Sequence, residues 1–222
     1  MTKCIFFTAT GTDIGKTYIS GLVVKKMREA GLNCGYFKPV LSGAIKEGNE
    51  LVPGDCRHVV ETAHLDCKPM DCLSYCFEEA VSPHLAAERL GIKIDKNKIL
   101  KDFEQKKQEY EYLLIEGAGG ITCPINLENN YLMYNLIQDL NCGVVIVADG
   151  GLGTINSVLL TVEYIKNRGI NIEGIILNNY QDDFMYEDNK KVIEDLTGLK
   201  VIAKVKRNDS DIEINTNIFK EV

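Results

Sequence analysis

Short apolar, β-branched and aromatic runs alternate along this chain with longer segments in which apolar residues recur at helical spacing. The runs predict buried strands at residues 3–8, 33–38, 112–116, 143–149, 172–178 and 200–205. The longer segments predict helices at residues 16–30, 96–109, 131–140, 156–168 and 186–196. Gly31, Gly169 and Gly198 stand where the helices before them are expected to end.

The order of these elements predicts the fold class. Strands and helices alternate, which favours an α/β fold with a mostly parallel sheet and helices on both of its faces. Residues 42–94 are the least regular part and contain Pro53, Pro69 and Pro83, so we expect an excursion over one edge of the sheet. Residues 1–222 show no clear linker and are expected to form a single domain. Chemistry is expected at the carboxyl ends of the strands.

Composition narrows the classes of partner. The 222 residues include 32 acidic and 25 basic side chains, a formal net charge of −7, which argues against a nucleic-acid binder. No apolar stretch approaches the roughly 20 residues that span a bilayer, so no membrane partner is expected. Met1-Thr2-Lys3 leads directly into the first strand rather than into a signal peptide, and we expect a cytoplasmic protein.

The eight cysteines raise the possibility of a metal site. The densest group of soft ligands is Cys56, His58, His64, Cys67, Cys72 and Cys76. None of its spacings gives the close cysteine pair of a zinc knuckle, and reduced thiols are the default without an export signal. Unligated thiols are therefore favoured, and a metal-binding module stays as an alternative.

The stretch TATGTDIGKTYIS, which follows the first strand, predicts a phosphate-binding loop. Gly15-Lys16-Thr17 opens a helix, so backbone amides and the helix N-terminus face one anion. Lys16 is expected to reach the outer phosphates of a nucleotide, and Thr17 to place its hydroxyl on Mg²⁺. The strict pattern has glycine where this chain has Thr10, so an ordinary glycine-containing turn is the competing interpretation.

Two further strand ends carry charged side chains. Glu116 ends an apolar strand and precedes Gly117-Ala118-Gly119-Gly120, which favours a second magnesium contact beside backbone that approaches phosphate. Lys38 ends the second strand, where its charge can lie beside a transferring phosphoryl group or hold a carboxylate or carbamate. Taken alone, a solvated lysine is as good an interpretation of Lys38.

Five motifs in this order, ATGTDIGKT, KPVLSG, SPHLAAE, IEGAGG and LGTIN, span most of the chain. Their combination resembles dethiobiotin synthetase, the ATP-dependent cyclase late in biotin synthesis. The resemblance implies a P-loop NTPase-like fold and a homodimer with the substrate site at its interface. It implies that 7,8-diaminononanoate, CO₂ and ATP, with Mg²⁺, become dethiobiotin, ADP and phosphate through a carbamate and a carbamic phosphoric anhydride.

The resemblance, added to the residue chemistry, assigns roles by position. The catalytic residues are Lys38, Lys16 and Thr12. The nucleotide-binding residues are Asp13, Ile14, Gly15, Lys16, Thr17, Tyr18, Asp55, Glu116, Gly117, Ala118, Gly119, Asn178, Asn179 and Lys206. The substrate-binding residues are Thr12, Lys38, Ser42, Gly153, Thr154 and Asn156, and the metal ligands are Thr17, Asp55 and Glu116.

Other nucleotide-binding classes remain as rivals. A switch or positioning ATPase shares the sheet and the phosphate loop, but the deviant kind carries an additional lysine that Ala9-Thr10-Gly11 lacks. A GTPase is disfavoured because Tyr180 stands where guanine readers have lysine. An amidoligase of the cobyrinic acid type needs a glutaminase domain for which this chain is too short.

Overall fold

The computed structural model describes residues 2–219, and positions 1 and 220–222 of the predicted domain lie outside that range. The strands are β1 (Lys3–Ala9), β2 (Cys34–Ser42), β3 (Ile45–Glu47), β4 (Glu50–Val52), β5 (Leu73–Phe77), β6 (Tyr112–Gly120), β7 (Pro124–Asn126), β8 (Tyr131–Leu132), β9 (Gly143–Asp149), β10 (Ile172–Asn178) and β11 (Val201–Lys204). The helices are α1 (Lys16–Glu29), α2 (Gly54–Ala63), α3 (Pro83–Arg89), α4 (Lys96–Lys107), α5 (Met133–Leu140), α6 (Thr154–Lys166) and α7 (Phe184–Thr197).

A seven-stranded parallel sheet organises the molecule, in the order β11-β10-β9-β1-β6-β2-β5. In the centre, β1 pairs with β6 on one side and with β9 on the other. The chain leaves β1 for β2 before it returns to β6 and later crosses to β9. The carboxyl end of β1 therefore lies where connections diverge to both sides, which is where open α/β sheets bind ligands.

The two faces of the sheet are covered by different helices. Successive strand residues point to opposite faces, so Phe6 packs with the core beneath α3, α4, α5, α6 and α7. Ile5 and Phe7 pack on the other face with α1, α2 and residues near the C-terminus. Burial on both faces explains why the strand sequences are nearly continuous apolar runs.

The predicted elements agree with the structure in the regular parts of the chain. Each of the six predicted strands coincides with a strand of the large sheet, and Gly31, Gly169 and Gly198 adopt positive φ after their helices. The prediction that the third helical segment begins at Tyr131 was wrong, because Tyr131–Leu132 forms β8 and the helix, α5, starts at Met133. Pairing with β7 places that tyrosine in a hairpin.

Residues 42–94 hold more regular structure than predicted. They form the β3–β4 hairpin, α2, the edge strand β5 and α3. The edge location is confirmed, since β5 pairs with β2 at one end of the sheet. Within residues 2–219, the structure contains no helix with the length and apolar character that a membrane crossing requires.

Candidate active site

The loop between β1 and α1 has the backbone shape of an anion-binding turn. Asp13 adopts a φ of 58° and Gly15 a φ of 91°, so the chain reverses handedness twice before the helix begins. Gly15 is the N-cap of α1 and brings no side chain to the helix start. The first backbone amides of a 14-residue helix therefore face the carboxyl edge of the sheet, as a phosphate site requires.

Asn178 holds this loop against the end of β10. Its Nδ2 donates to the carbonyl oxygen of Ile14 at 2.8 Å. A Cβ at Gly15 would lie 2.2 Å from the same nitrogen, so only glycine fits there. The Oδ1 atom of Asn178 is buried and has no hydrogen-bond partner among residues 2–219. This amide oxygen is free to accept a hydrogen bond from a ligand.

Glu116, which is fully buried, is the centre of the polar network. The prediction that Glu116 and Lys38 end their strands was wrong, because β6 continues to Gly120 and β2 to Ser42. Thr17 donates to its Oε1 at 2.7 Å, and Lys38 donates to the same oxygen at 2.6 Å. Tyr36 donates to the other oxygen, Oε2, at 2.8 Å. A buried carboxylate needs such partners because the lost hydration would otherwise make its charge very costly.

Lys38 lies between two carboxylates. Its Nζ is 2.6 Å from an oxygen of Glu116 and 2.6 Å from an oxygen of Asp55, which projects from the first turn of α2. Burial opposes the charged form, but the two carboxylates outweigh it and raise the pKa of Lys38 above its usual value. The side chain is therefore a permanent cation at neutral pH.

The pKa of Lys16, which lies close to Lys38, shifts in the opposite direction. Burial lowers the pKa of Lys16, and Lys38 adds to that effect, while Glu116 and Asp55 oppose it. No carboxylate pairs directly with its ammonium within the described part of the chain. A buried cation without a partner favours an incoming anion, which is the electrostatic condition that phosphate binding needs.

These side chains line one cleft of about 600 Å³. Its lining consists of Thr12, Asp13, Gly15, Lys16, Thr17, Tyr18, Lys38, Ser42, Gly54, Asp55, His58, Glu116, Gly117, Ala118 and Gly119. The structure thus brings together residues from four separate parts of the sequence. The volume suits a nucleotide with a small substrate beside it.

Other predicted site residues lie outside this lining. Ile14 contributes its carbonyl to the bond with Asn178. Asn179 donates to Asp149 at 2.7 Å, and the ammonium of Lys206 pairs with Asp182 on the surface. All three residues therefore have hydrogen-bond or ion-pair partners within the chain, and their contact with a nucleotide stays a prediction.

The predicted carboxylate-binding residues stand apart, at the start of α6. Gly153 caps the helix, and Asn156 is exposed on its first turn. Thr154 is only 5% exposed, and its Oγ1 has no hydrogen-bond partner among the described residues. The arrangement fits an anion at a helix N-terminus, but one that lies outside the cleft of the same chain.

Two side chains at the site were not predicted to belong to it, and one of them, His58, was grouped instead with the cysteines as a candidate soft ligand. Tyr36 precedes Lys38 by two residues in β2, so both face the same side of the sheet. His58 follows Asp55 by three residues in α2 and lines the cleft beside Tyr18, with ring centroids 6.2 Å apart. The signal in each case is periodicity relative to a site residue, which requires that the strand or helix be known first.

The donor set fits a magnesium ion. Thr17, Asp55 and Glu116 offer only hard oxygen atoms, and the two carboxylates already converge on one cation, the Lys38 ammonium. Mg²⁺ prefers such ligands and keeps several waters, so few protein contacts suffice. Among residues 2–219, no group of three or more His, Cys, Asp or Glu side chains is placed to hold a metal, the cysteine cluster included.

Comparison with known proteins identifies the family. A family model described as an AAA domain matches residues 3–212. The ATP-dependent dethiobiotin synthetase BioD of Clostridium botulinum (strain 657 / Type Ba4) is 45% identical over 216 residues, which cover 96% of this chain and 95% of the relative. The protein of the same name from Clostridium perfringens (strain 13 / Type A) is 43% identical over 224 residues, with 100% and 98% coverage.

Solved structures show the same fold at low identity. A ParA family ATPase from Chlorobium tepidum TLS has a TM-score of 0.56 at 14% identity, over 94% of this chain and 84% of that one. The MinC:MinD cell division protein complex of Aquifex aeolicus has a TM-score of 0.58 at 13% identity, over 99% and 86%. The predicted P-loop NTPase-like α/β fold is confirmed, and the full-length relatives show that the chain belongs to the family of ATP-dependent dethiobiotin synthetases.

Proposed function

We propose that the cleft between the phosphate loop and Lys38 closes the urea ring of dethiobiotin. The substrates are 7,8-diaminononanoate, CO₂ and ATP, and the products are dethiobiotin, ADP and phosphate. The observation that carries this assignment to the cleft is the buried Lys38 cation, 2.6 Å from both Asp55 and Glu116 at the mouth of a phosphate loop. The deviant ATPases have their additional lysine within the phosphate loop, whereas Lys38 lies on β2, where its charge can meet a carbamate beside the phosphates.

The chemistry requires two anions to meet. One substrate amine adds to CO₂ and loses a proton, which gives a carbamate. A carbamate oxygen attacks the γ-phosphorus, ADP leaves, and a carbamic phosphoric anhydride results. The second amine then attacks the carbonyl carbon, phosphate leaves with the bridging oxygen, and the ring closes. Lys38 and Lys16 are placed to offset the charge repulsion that opposes the first phosphoryl transfer.

Different lining residues contact the two reacting groups, the carbamate of the diamine and the phosphoryl group of ATP. Lys38 stabilises the carbamate and the anhydride, and Ser42, four residues further along β2, contacts the diamine. Lys16 follows the phosphoryl group as its charge moves, and Thr12 contacts both the substrate and the transferring phosphate. Orientation of this kind lowers the barrier because the reactants no longer have to find one another.

Magnesium and nucleotide occupy the loop side of the cleft in this proposal. Thr17, Asp55 and Glu116 hold Mg²⁺, which supplies positive charge to the β- and γ-phosphates when bound. The amides of Asp13 to Tyr18 and of Gly117 to Gly119 surround the phosphates. Asn178 receives the adenine amino group on its free Oδ1. Asn179 and Lys206 flank the base after their surface pairs open.

A homodimer completes the site in this proposal. Asn156 and Leu160 are exposed one turn apart on α6, and Leu152 and Phe184 are 91% and 89% exposed at the starts of α6 and α7. Such large apolar side chains favour burial against a second copy. Gly153, Thr154 and Asn156 then bind the substrate carboxylate of the neighbouring subunit.

We also infer that residues 1–222 act as one cyclase domain in the cytoplasm, where its free thiols are stable.

The experiment compares phosphate release with and without the diamine. Purified protein receives Mg-ATP and bicarbonate, and phosphate and dethiobiotin are measured by a coupled assay and by mass. We expect diamine-dependent phosphate release with matching dethiobiotin. Lys38→Ala is expected to lower that rate about 10²- to 10³-fold, as the loss of a transition-state charge partner does elsewhere, with Mg-ATP affinity nearly unchanged.

Lys26→Ala is the matched control, since it also removes a lysine cation but one that lies outside the cleft and pairs with Asp211 on the surface. Its effect on the diamine-dependent rate is expected to be less than about threefold. Phosphate release that ignores the diamine in the wild type would overturn the proposed function. Equal losses of the diamine-dependent rate in the two variants would show that Lys38 has no special role in the reaction.

A further inference from the structure

The two oxygens of Glu116 have different partners. Oε1 faces the site and accepts hydrogen bonds from Thr17 and Lys38. Oε2 faces away from them and accepts a bond from the hydroxyl of Tyr36 at 2.8 Å. Tyr36 therefore holds the carboxylate at Oε2, and Oε1 is available to groups in the cleft.

Strand geometry puts Tyr36 in this position. In the parallel pairing of β2 with β6, Tyr36 is the partner of Leu114, two residues before Glu116. Side chains two residues apart share a face of the sheet, so Glu116 lies between Tyr36 and Lys38 on the face covered by α1 and α2. Tyr36 is 1% exposed, and its neighbours on that face are apolar apart from the site residues.

The phenol is suited to this task because its hydroxyl can donate a hydrogen bond, whereas an ionised carboxylate can only accept one. A neutral hydroxyl in this place can donate only one hydrogen bond, and Glu116 receives it. The bond therefore restricts the rotation of the carboxylate plane, which no apolar side chain of the same shape can do.

We propose that Tyr36 is a positioning residue for the cation site: its hydroxyl fixes Oε2 of Glu116 so that Oε1 meets Thr17 and the bound metal. The inference rests on the proposed magnesium ligands. Partners that orient a ligating carboxylate typically change metal affinity by about 10- to 100-fold when they are removed. Tyr36 acts through Glu116 and contacts neither substrate nor nucleotide.

The test measures metal-dependent nucleotide binding rather than turnover. The wild-type protein, Tyr36→Phe and Tyr131→Phe are titrated with a non-hydrolysable ATP analogue at a series of Mg²⁺ concentrations and without Mg²⁺. Tyr131→Phe is the matched control, because Tyr131 is also buried and also donates to a carboxylate at 2.8 Å, that of Asp139. Unfolding temperatures of all three report any general loss of stability.

We expect Tyr36→Phe to need about tenfold more Mg²⁺ for half-maximal binding, with its metal-free affinity within about twofold of wild type. Tyr131→Phe should follow the wild-type curve. In a Glu116→Gln background, Tyr36→Phe should cause no further shift, because the oxygen through which it acts has lost its charge. That background also tests the idea if the single variant is unstable.

An unchanged Mg²⁺ dependence in Tyr36→Phe would overturn the inference, as would equal losses with and without the metal. A wild-type protein that binds the analogue equally well in both conditions would overturn it too, by removing the metal site. Normal Mg²⁺ dependence without diamine-dependent phosphate release would contradict the proposed function alone, and would leave the role of Tyr36 supported.

Discussion

Burial lowers the pKa of both lysines of the cleft, but the net shifts are opposite because their charged neighbours differ. Lys38 has carboxylates at 2.6 Å on two sides, and its pKa rises, whereas Lys16 lacks such a direct pair and its pKa falls. Lys38 therefore keeps its charge with or without ligand. Lys16 gains a counter-charge when phosphate arrives, so nucleotide binding is expected to raise its pKa.

Lys38 also stands where the proposed metal ligands converge. Without a metal, its ammonium is the cation that separates Asp55 from Glu116. In the proposed mechanism, a divalent ion held by those carboxylates would take over this compensation, and Lys38 would then be available to the carbamate. The same two carboxylates would serve both cations in turn.

Cys67 provides a prediction about pH. Its sulfur lies 3.6 Å from that of Cys72, and the hydrogen bond between them lowers the pKa of Cys67 to about 7 while that of Cys72 is raised. The thiolate is the nucleophile, so alkylation of Cys67 by iodoacetamide should increase with pH and reach half its plateau rate near pH 7. Peptide mass mapping over pH 5 to 10 measures this, with Cys72→Ala as the variant that should return the midpoint toward an ordinary thiol value, because alanine cannot donate a hydrogen bond. A midpoint above pH 8 in the wild type would contradict the hydrogen-bonded pair.

Single residues of the site were predictable where a charged side chain directly follows an apolar run. Lys38 and Glu116 do so, and both belong to the cleft that the structure describes, although their strands continue beyond them. Asp55 required the family resemblance, because by itself it is one more acid in an irregular segment. Tyr36 escaped prediction because its role depends on the pairing register of β2 with β6, which one strand sequence does not contain.

At the scale of elements, the phosphate loop depends on two contacts across the sheet edge. Asn178 at the end of β10 binds the Ile14 carbonyl, and Glu116 in β6 binds Thr17. Because β10 and β6 lie on opposite sides of β1 in the sheet, the loop and the start of α1 are held from both sides. This support allows the loop to keep its shape although Thr10 replaces the glycine of the strict pattern.

Gly15→Ala should disable the loop. The variant places a Cβ 2.2 Å from Asn178 Nδ2 at a φ of 91°, so it combines a clash with left-handed strain. We expect at least about a tenfold loss of ATP affinity, since strain of this kind costs about 1–2 kcal/mol before the clash is added. Equilibrium binding of a fluorescent ATP analogue measures the change.

Gly31→Ala is the control at the other end of α1. It has a φ of 78°, but a Cβ there has no atom within 4 Å in the described part of the chain. It should lower the free energy of unfolding by about 1 kcal/mol and leave ATP affinity unchanged. Similar affinities for both variants would show that the contact of Gly15 with Asn178 does not shape the loop.

Element prediction failed in the segment after β2 for physical reasons. The buried positions of α2 are Cys56, Val59 and Ala63, a helical spacing that polar and histidine neighbours obscure. Strand β5 has only five residues and lies at the sheet edge, where partial exposure weakens the apolar pattern. Long buried strands and capped helices, by contrast, carry periodicity that remains visible in the sequence.

At the scale of the whole molecule, the proposed site is divided between two places. The cleft contains the residues proposed for phosphoryl transfer, whereas Gly153, Thr154 and Asn156, proposed to bind the substrate carboxylate, lie at the start of α6 outside its lining. A second copy of the chain is the simplest way to bring an anion site to the substrate tail. Dimer formation and diamine affinity are therefore expected to be linked.

Leu152→Asp and Phe184→Asp should weaken the dimer. Each places a charge on an apolar side chain that is exposed in the single chain, and burying an unpaired carboxylate at an interface is strongly unfavourable. We expect a shift toward monomer in sedimentation velocity and at least a tenfold rise in the KM for the diamine. Leu90→Asp, at a 61% exposed position that ends α3, is the control and should change neither. A fully active wild-type monomer would contradict the shared site.

The most direct test of the central claim follows one oxygen atom. A single turnover is run with ¹⁸O-labelled CO₂, the diamine and unlabelled Mg-ATP, and is quenched before CO₂ exchanges with water. Because the carbamate oxygen attacks the γ-phosphorus and leaves with phosphate, we predict one ¹⁸O atom in each phosphate released and label in the dethiobiotin carbonyl. Phosphate without label would mean that water attacks the nucleotide, and would contradict carbamate activation in this cleft.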